Sequence, residues 1–99
     1  MIQRLETLIG CPRPDCIYEI IADFKLDLCL DVGAAAGKTA RSICLAGGNG
    51  MRLMAFEPFP GNHRYFHETT RDLPNEIQLL AVALSDKIGE SRFKLPSIV

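Results

Sequence analysis

A short apolar segment, followed by a turn of small residues and then by a helical pattern, constrains this chain most. Segment 26–32 reads Leu-Asp-Leu-Cys-Leu-Asp-Val. Its central residues are apolar whichever way they point, which predicts a parallel strand covered on both faces. The turn 33–37 reads Gly-Ala-Ala-Ala-Gly. The residues that follow share one helical face: Ala36, Ala40, Ile43 and Cys44. A strand, a tight turn and a helix in this order predict the start of a βαβ unit.

The same alternation extends along most of the chain. Residues 1–14 predict an amphipathic N-terminal helix over 1–10 and a proline-rich connector, and Asp15 is placed to cap a second helix. Further strands are predicted over 51–56, 77–84 and, as a short fourth strand, 91–95, with a further helix running to about Asp72. This order predicts an α/β domain over 15–99, built on a parallel sheet with right-handed crossovers. The second helix carries an apolar stripe: Ile17, Ile20, Ile21 and Phe24.

Composition excludes several classes of protein. Ninety-nine residues allow one small domain. An apolar share of 47% excludes a disordered chain, and a net charge of -1 excludes the basic field of a nucleic-acid-binding protein. No stretch approaches the roughly 18 apolar residues that span a bilayer, so no membrane partner is expected. The first residues carry charges and lack the apolar core of a signal peptide.

The cysteines and histidines predict no metal site. Cys11, Cys16, Cys29 and Cys44 match none of the paired zinc patterns. Without a secretory signal we expect no disulfide framework, which favours a reducing, cytoplasmic location. His63 and His67 share a helix face, but Arg64 stands where the glutamate of H-E-x-x-H would be, so a solvated face is predicted there. The aromatic residues of the same helix are predicted to pack rather than to form a ligand cage.

The turn 33–37 allows two phosphate-binding interpretations, and both fit poorly. Gly37-Lys38-Thr39 resembles the end of a P-loop. That motif, however, requires four residues between its glycines, whereas three separate Gly33 from Gly37. A dinucleotide fingerprint counted from Gly33 would need further glycines where Ala35 and Lys38 stand.

A third interpretation combines the turn with an acidic residue after the second strand. Asp31, Gly33 and Gly37 form a D-x-G-x-x-x-G turn, and Glu57 follows the strand that ends at Phe56. A carboxylate at that place can accept hydrogen bonds from two ribose hydroxyls. The combination therefore favours a nucleoside ligand that carries no phosphate.

Three blocks of residues, in order and with fitting gaps, resemble the FkbM-type methyltransferases. The first block runs from Asp31 to Gly37, and the third comprises Ala83-Leu84-Ser85-Asp86 with Gly89 and Phe93. The resemblance covers about residues 15–95 and implies the Rossmann-like fold of class I S-adenosylmethionine-dependent methyltransferases. The second block lies between the other two: Phe56, Glu57, Pro58, Pro60 and Asn62.

The resemblance also implies a cofactor site. Asp31, Gly33 and Gly37 would border the methionine part of S-adenosylmethionine, Glu57 would hold its ribose, and the stretch containing Ser85 and Asp86 would lie near its adenine. Ala34 and Pro58 are predicted to belong to the same cofactor site. The family usually has asparagine where this chain has Ala35. The reaction it implies is O-methylation of a hydroxyl-bearing small molecule or sugar.

Family likeness places further strands, the acceptor site and the proton-accepting group beyond the third strand. The chain is therefore expected to represent the cofactor-binding half of the fold, and no catalytic residue is assigned. The outer edge of strand one would be apolar and unpaired, which favours self-association. A P-loop-like nucleotide-binding protein and a non-catalytic remnant of a methyltransferase stay open as alternatives.

Overall fold

The computed structural model describes residues 16–90 and Arg92. The predicted helix over 1–10, the connector and, apart from Arg92, the fourth strand over 91–95 therefore lie outside the described residues. Within residues 16–90, helices and strands alternate as the apolar pattern predicts. The elements are helix α1 (Cys16–Phe24), strand β1 (Leu28–Val32), helix α2 (Lys38–Gly47), strand β2 (Arg52–Phe56), a 3-10 turn (Pro60–Asn62), helix α3 (His63–Thr70) and strand β3 (Ile77–Leu80).

The strands of residues 16–90 form one parallel sheet in the order β1-β2-β3. Leu30 pairs with Met54 across β1 and β2, and Leu53 pairs with Ile77 across β2 and β3. A helix connects each pair of neighbouring parallel strands, as such crossovers require. The described part of the chain is thus a small α/β domain, compatible with a Rossmann-like fold.

The helices cover one face of this sheet. The core cluster joins Ile21 of α1, Ile43 of α2 and Phe66 of α3 to Leu53 and other strand residues on that face. On the opposite face of β1 the side chains are 40, 53 and 60% exposed, in the order Leu28, Leu30, Val32. The prediction that strand one is covered on both faces is therefore wrong for the described residues, because both helices that follow β1 cross on the same side.

Helix α3 is fixed against the start of α2 by two contacts. Phe66 is fully buried, and a Cβ built on Gly37 would lie 3.1 Å from its Cδ2 atom. Arg41 of α2 forms a two-pronged ion pair with Asp72, at 2.6 and 3.0 Å, and donates a third bond to the Thr69 carbonyl. These contacts set the position of the 33–37 turn, since Gly37 immediately precedes α2.

Strand β3 ends four residues earlier than predicted, at Leu80. The ladder between β2 and β3 closes with a bond of 3.0 Å from the Glu57 N–H to the Leu80 carbonyl. The next N–H in register belongs to Phe59, and it donates to the Glu57 carboxylate instead. Residues 81–90 are exposed, so the stretch with Ser85 and Asp86 does not continue the strand.

Two predictions about apolar and sulfur-containing residues need correction. In α1, Ile21 is buried as predicted, but Ile17 is 52% exposed and lies outside the packed stripe. Cys16 is disulfide-bonded, whereas Cys29 and Cys44 are free thiols. No disulfide framework was expected from the cysteine spacing, but Cys16 is bonded, because pairing depends on how the fold places two sulfur atoms.

No helix in the described part of the chain combines the length and the apolar character that a membrane span needs.

Candidate functional site

The 33–37 turn is anchored at its base by the end of β2. The N–H groups of Gly33 and Ala34 both donate to the Phe56 carbonyl, at 2.8 and 3.1 Å. Gly37 closes the turn by donating to the Ala34 carbonyl at 3.1 Å. Gly33 and Gly37 have φ angles of 75° and 92°, a region that glycine enters without steric cost. The turn therefore needs glycine at these two positions, as the motif predicts.

Glu57 connects the tip of this turn to the end of β2. Its Oε1 atom accepts a hydrogen bond of 2.9 Å from the Ala35 N–H, and its Oε2 atom accepts one of 2.9 Å from the Phe59 N–H. The Asn62 side chain lies near enough to this carboxyl group to help lower its pKa. Only 7% of the Glu57 surface is exposed. The residue predicted to hold a ribose thus holds its own backbone in this structure.

The charge on Glu57 is stabilised by these donors. Burial would raise the pKa of the carboxyl group, but the hydrogen bonds from the Phe59 and Ala35 N–H groups, with the Asn62 side chain and His63 nearby, outweigh burial and lower it. Glu57 is therefore a carboxylate at neutral pH. An ionised acceptor of this kind forms stronger hydrogen bonds than a neutral one.

Asp31 is also buried, but one of its carboxylate oxygens lacks the kind of donor that both oxygens of Glu57 have. It lies on β1 beside Ala55 of β2, and 8% of its surface is exposed. Its Oδ2 atom has no hydrogen-bond partner among the described residues. Burial raises the pKa of Asp31 and also those of the neighbouring thiols Cys29 and Cys44. Buried polar atoms in folded proteins nearly always have a partner, so an orphaned carboxylate oxygen here points to a missing donor.

A cleft of about 730 Å³ adjoins this edge of the sheet. It joins Pro58, which directly follows Glu57, to Ser85 and other residues of 81–90. Asp86 does not line the cleft; it is exposed and accepts a bond of 3.3 Å from the Ser85 hydroxyl. Residues 81–90 thus present both apolar and polar groups to the cleft: Ala81, Val82, Ala83, Ser85, Lys87, Ile88, Gly89 and Glu90.

The structure brings most of the predicted residues to the carboxyl end of the sheet. Asp31, Gly33, Ala34, Gly37 and Glu57 surround the turn. Pro58 and Ser85 line the neighbouring cleft, and Asp86 stays outside it. In doubly wound sheets this end is where ligands bind.

Comparison with known proteins identifies no family for this chain. The chain matches no protein-family model and no curated protein sequence. The geometry of the site therefore carries the functional argument.

The sequence motifs do not predict the roles of three residues of the site. Ala35 adopts a φ of 49°, uncommon outside glycine, asparagine and aspartate. Phe59 contributes only its backbone N–H. His63, predicted to lie on a solvated face, is half-buried and donates through Nε2 to the Glu57 carbonyl at 2.7 Å. Backbone roles of this kind leave no mark on residue type.

The same geometry bears on the phosphate-binding alternatives. In the turn, the N–H groups of Gly33, Ala34 and Gly37 donate to backbone carbonyls, and that of Ala35 donates to Glu57. A P-loop instead directs such groups at phosphate oxygens. Two carboxylates, Asp31 and Glu57, also flank the turn and would repel a phosphate. Neither phosphate-binding interpretation is favoured by this arrangement.

No group of three His, Cys, Asp or Glu side chains within the described residues is placed to hold a metal ion.

Proposed function

We propose that this chain binds S-adenosylmethionine and represents the cofactor-binding half of an FkbM-like methyltransferase acting on a hydroxyl group of a small molecule or sugar. The observation that carries the proposal is the orphaned Oδ2 of Asp31, more than nine-tenths buried beside the 33–37 turn. A buried carboxylate without a donor is unfavourable unless a ligand supplies one. The ammonium group on the methionine part of S-adenosylmethionine is such a donor.

The second carboxylate supports the same ligand class. Glu57 is ionised and lies at the end of β2, where acidic residues of nucleoside-binding sheets accept ribose hydroxyls. The cleft beside Pro58 has apolar lining residues, Val82 and Ile88 among them, which suit the flat face of an adenine ring. Two acceptors, an apolar cleft and no free phosphate cradle together favour an unphosphorylated, positively charged nucleoside.

Each residue of the proposed site binds or orients rather than reacts. Asp31 would neutralise the ammonium group, Glu57 would fix the ribose, and Pro58 and Ser85 would bound the adenine cleft. When bound, S-adenosylmethionine supplies an electrophilic methyl group on a sulfonium centre. The described residues would contribute to catalysis by positioning, which lowers the entropic part of the barrier.

Calorimetric titration of the chain with S-adenosylmethionine tests the proposal. We expect saturable binding that is weakened at least about tenfold by Asp31→Asn and by Glu57→Ala, since each removes a charge-assisted contact. Glu76→Ala is the matched control, because Glu76 is exposed and contributes only its backbone carbonyl to the sheet. Its affinity should equal that of the unaltered chain.

A parallel titration with ATP and magnesium separates the alternatives. Magnesium-dependent ATP binding, with none to S-adenosylmethionine, would establish the P-loop-like interpretation and overturn the proposal. Binding of neither ligand would leave the non-catalytic remnant. If the Asp31→Asn variant bound S-adenosylmethionine as tightly as the unaltered chain, the role proposed for the Asp31 carboxylate would be contradicted, and the proposal with it.

A further inference from the structure

Two free thiols lie on facing elements of the core, one on β1 and one on α2. Cys29 is half-buried and shares the helix-covered face of β1 with Asp31, since the exposed residues of this strand alternate with these two. Cys44 is 2% exposed and belongs to the core cluster against which Cys29 packs. The fold therefore holds two reduced thiols in one packed layer.

The two thiols lie at the same level of the domain. Because β1 and β2 are parallel, the connecting helix α2 runs back along β1 from the 33–37 turn. A rise of about 1.5 Å per helical residue places Cys44 roughly 9 Å from the start of α2 at Lys38. A rise of about 3.3 Å per strand residue places Cys29 roughly 10 Å from the end of β1 at Val32. The turn joins these two ends, so the thiols lie beside each other.

Helix α2 approaches β1 closely at this level. The side chains that α2 buries include the small Ala40 and Cys44, and Cα atoms of α2 and β1 come within 8 Å of each other. Burial raises the pKa of Cys44 and the charge of Cys29 raises it further, an effect of neighbouring groups only. A disulfide spans a Cα separation of roughly 4.4–6.8 Å. A small movement of α2 towards β1 therefore brings the two sulfur atoms to bonding distance.

Cys29 is the thiol that a reagent reaches first. Its Sγ atom donates to the Leu30 carbonyl at 3.9 Å, and Leu30 is an exposed residue of the edge strand β1. Cys44 is covered by the packed helices and strands of the core. A buried thiol exchanges only with a sulfur atom that the fold brings to it, and Cys29 is in that position.

We propose that Cys29 and Cys44 are a dithiol modification site, which a small-molecule disulfide such as oxidised glutathione converts into an intrachain disulfide. First, the Cys29 thiolate attacks one sulfur atom of the reagent, forms a mixed disulfide and releases one glutathione thiolate. Next, the Cys44 thiolate attacks Sγ of Cys29 and releases the second glutathione thiolate. The protons of the two protein thiols pass through solvent to the two glutathione thiolates. The protein dithiol is thus oxidised and the reagent is reduced to two thiols.

The new bond closes a loop of the chain that contains the 33–37 turn. The loop runs from Cys29 to Cys44, and a cross-link of this kind removes conformational freedom from the unfolded chain. The melting temperature should therefore rise by roughly 10 °C. The proposal holds whether or not the chain binds S-adenosylmethionine, because neither thiol is assigned a contact with that ligand.

Peptide mapping of the native chain after incubation with oxidised glutathione tests the proposal. Cleavage by trypsin after lysine and arginine places the two thiols in separate peptides, 26–38 and 42–52, each with no other cysteine. We expect these peptides to be joined by a reducible bond, with no glutathione retained on either. Mildly alkaline buffer is used, because burial raises the pKa of both thiols and only the thiolate exchanges.

Two substitutions separate the two steps. Cys44→Ala leaves Cys29 without a second thiol, so this variant should stop at the mixed disulfide and retain one glutathione per chain. Cys29→Ser removes the reachable thiol, so Cys44 should stay unmodified. In both variants the reagent should leave the melting temperature without the rise expected for the unaltered chain.

A glutathione adduct on Cys29 of the unaltered chain that never gives way to the linked peptides would overturn the proposal, because the two sulfur atoms would then be too far apart to bond. Failure of both thiols to react would overturn it as well. So would linkage between two chains, which a mixture of isotope-labelled and unlabelled protein reveals by hybrid peptide pairs.

Discussion

Glu57 and Ala35 lie 22 residues apart in the chain and are joined by a hydrogen bond of 2.9 Å between the Ala35 N–H and Oε1 of Glu57. This bond ties the tip of the first turn of the sheet to the end of the second strand. A second carboxylate, Asp31, lies at the same end of the sheet with an oxygen that has no partner among the described residues. The two carboxylates make opposite contributions to stability, and this difference can be measured.

Asp31→Asn is expected to stabilise the ligand-free chain at neutral pH. Burial raises the pKa of Asp31 above its ordinary value of about 3.9. The folded state therefore holds this proton more tightly than the unfolded state, and the unfolding free energy falls as pH rises from about 3.9 through the raised value. Asparagine removes that loss. In urea denaturation at several pH values, the unfolding free energy of the variant relative to that of the unaltered chain should increase with pH.

Asp27→Asn is the control for this substitution. Asp27 is exposed and contributes its backbone carbonyl to the sheet. Its unfolding free energy should track that of the unaltered chain at every pH. A stability of Asp31→Asn below that of the unaltered chain at pH 7 would mean that Asp31 has a stabilising partner in solution, contrary to the structure.

Glu57→Gln is expected to destabilise the ligand-free chain by about 1–3 kcal/mol at pH 7. A glutamine amide has only one acceptor oxygen, so its NH₂ group would face the N–H of either Ala35 or Phe59. That N–H would then lose its acceptor. Because the pKa of Glu57 is lowered, its contribution is present above the ordinary glutamate value of about 4.3 and is lost as pH falls through the folded-state value. The difference between variant and unaltered chain should therefore shrink in acid.

Glu76→Gln provides the comparison for Glu57→Gln in the same urea titrations. The exposed Glu76 side chain should change stability by no more than about 0.5 kcal/mol. Equal unfolding free energies for Glu57→Gln and the unaltered chain at pH 7 would contradict the hydrogen bonds described for Glu57.

Three glycine-to-alanine substitutions separate backbone conformation from close packing. Gly33 has a φ of 75° and open space around a built Cβ, so Gly33→Ala should cost about 1–2 kcal/mol from conformation alone. Gly37 combines a φ of 92° with the 3.1 Å approach to Phe66, and Gly37→Ala should cost about 2–4 kcal/mol. Thermal unfolding measures both.

Gly50→Ala completes this series. Gly50 has no positive φ and nothing within 4 Å of a built Cβ. Its substitution should change stability by no more than about 0.5 kcal/mol. If Gly37→Ala were tolerated as well as Gly50→Ala, the packing of α3 against the start of α2 would not be as described.

The uncovered side of β1 is proposed to mediate self-association. β1 is an edge strand of the described sheet, and Leu28, Leu30 and Val32 are exposed on it. An edge strand offers unpaired backbone N–H and C=O groups, and an apolar exposed face beside them makes it a template for pairing with another chain. Light scattering at increasing concentration should detect species larger than a monomer, and Leu30→Lys should reduce their fraction.

Leu45→Lys is the matched control for the edge. Leu45 is 65% exposed, but it lies on α2 rather than on the sheet edge. The same change of an exposed leucine to lysine there should leave association unaltered. A monomer at all concentrations, or equal effects of the two substitutions, would contradict a role for the β1 edge.

Local patterns predict the backbone of this domain well where a single element decides the outcome. The apolar face of α2 is buried at Ala40, Ile43 and Cys44, and Gly48 ends the helix at a φ of 82°. These outcomes depend on helical spacing and on glycine's freedom, which residue types alone encode. The predicted strand positions at β1 and β2 agree with the structure to within two residues.

Prediction fails where a residue's partner comes from another part of the chain. The length of β3 depends on whether Phe59 donates to the strand or to Glu57, which no local pattern records. Whether Leu30 and Val32 are covered depends on the side on which the helices cross, not on their apolar character.

The sequence by itself determined the order of elements, the glycines of the turn and the presence of one acidic residue in the first strand and another directly after the second. Only the tertiary structure decided that Glu57 binds its own backbone while Asp31 keeps an orphaned oxygen. Residue type specifies what a carboxylate can accept. The packing of distant segments specifies which donors reach it, because a hydrogen bond forms only within about 3 Å and in the right direction.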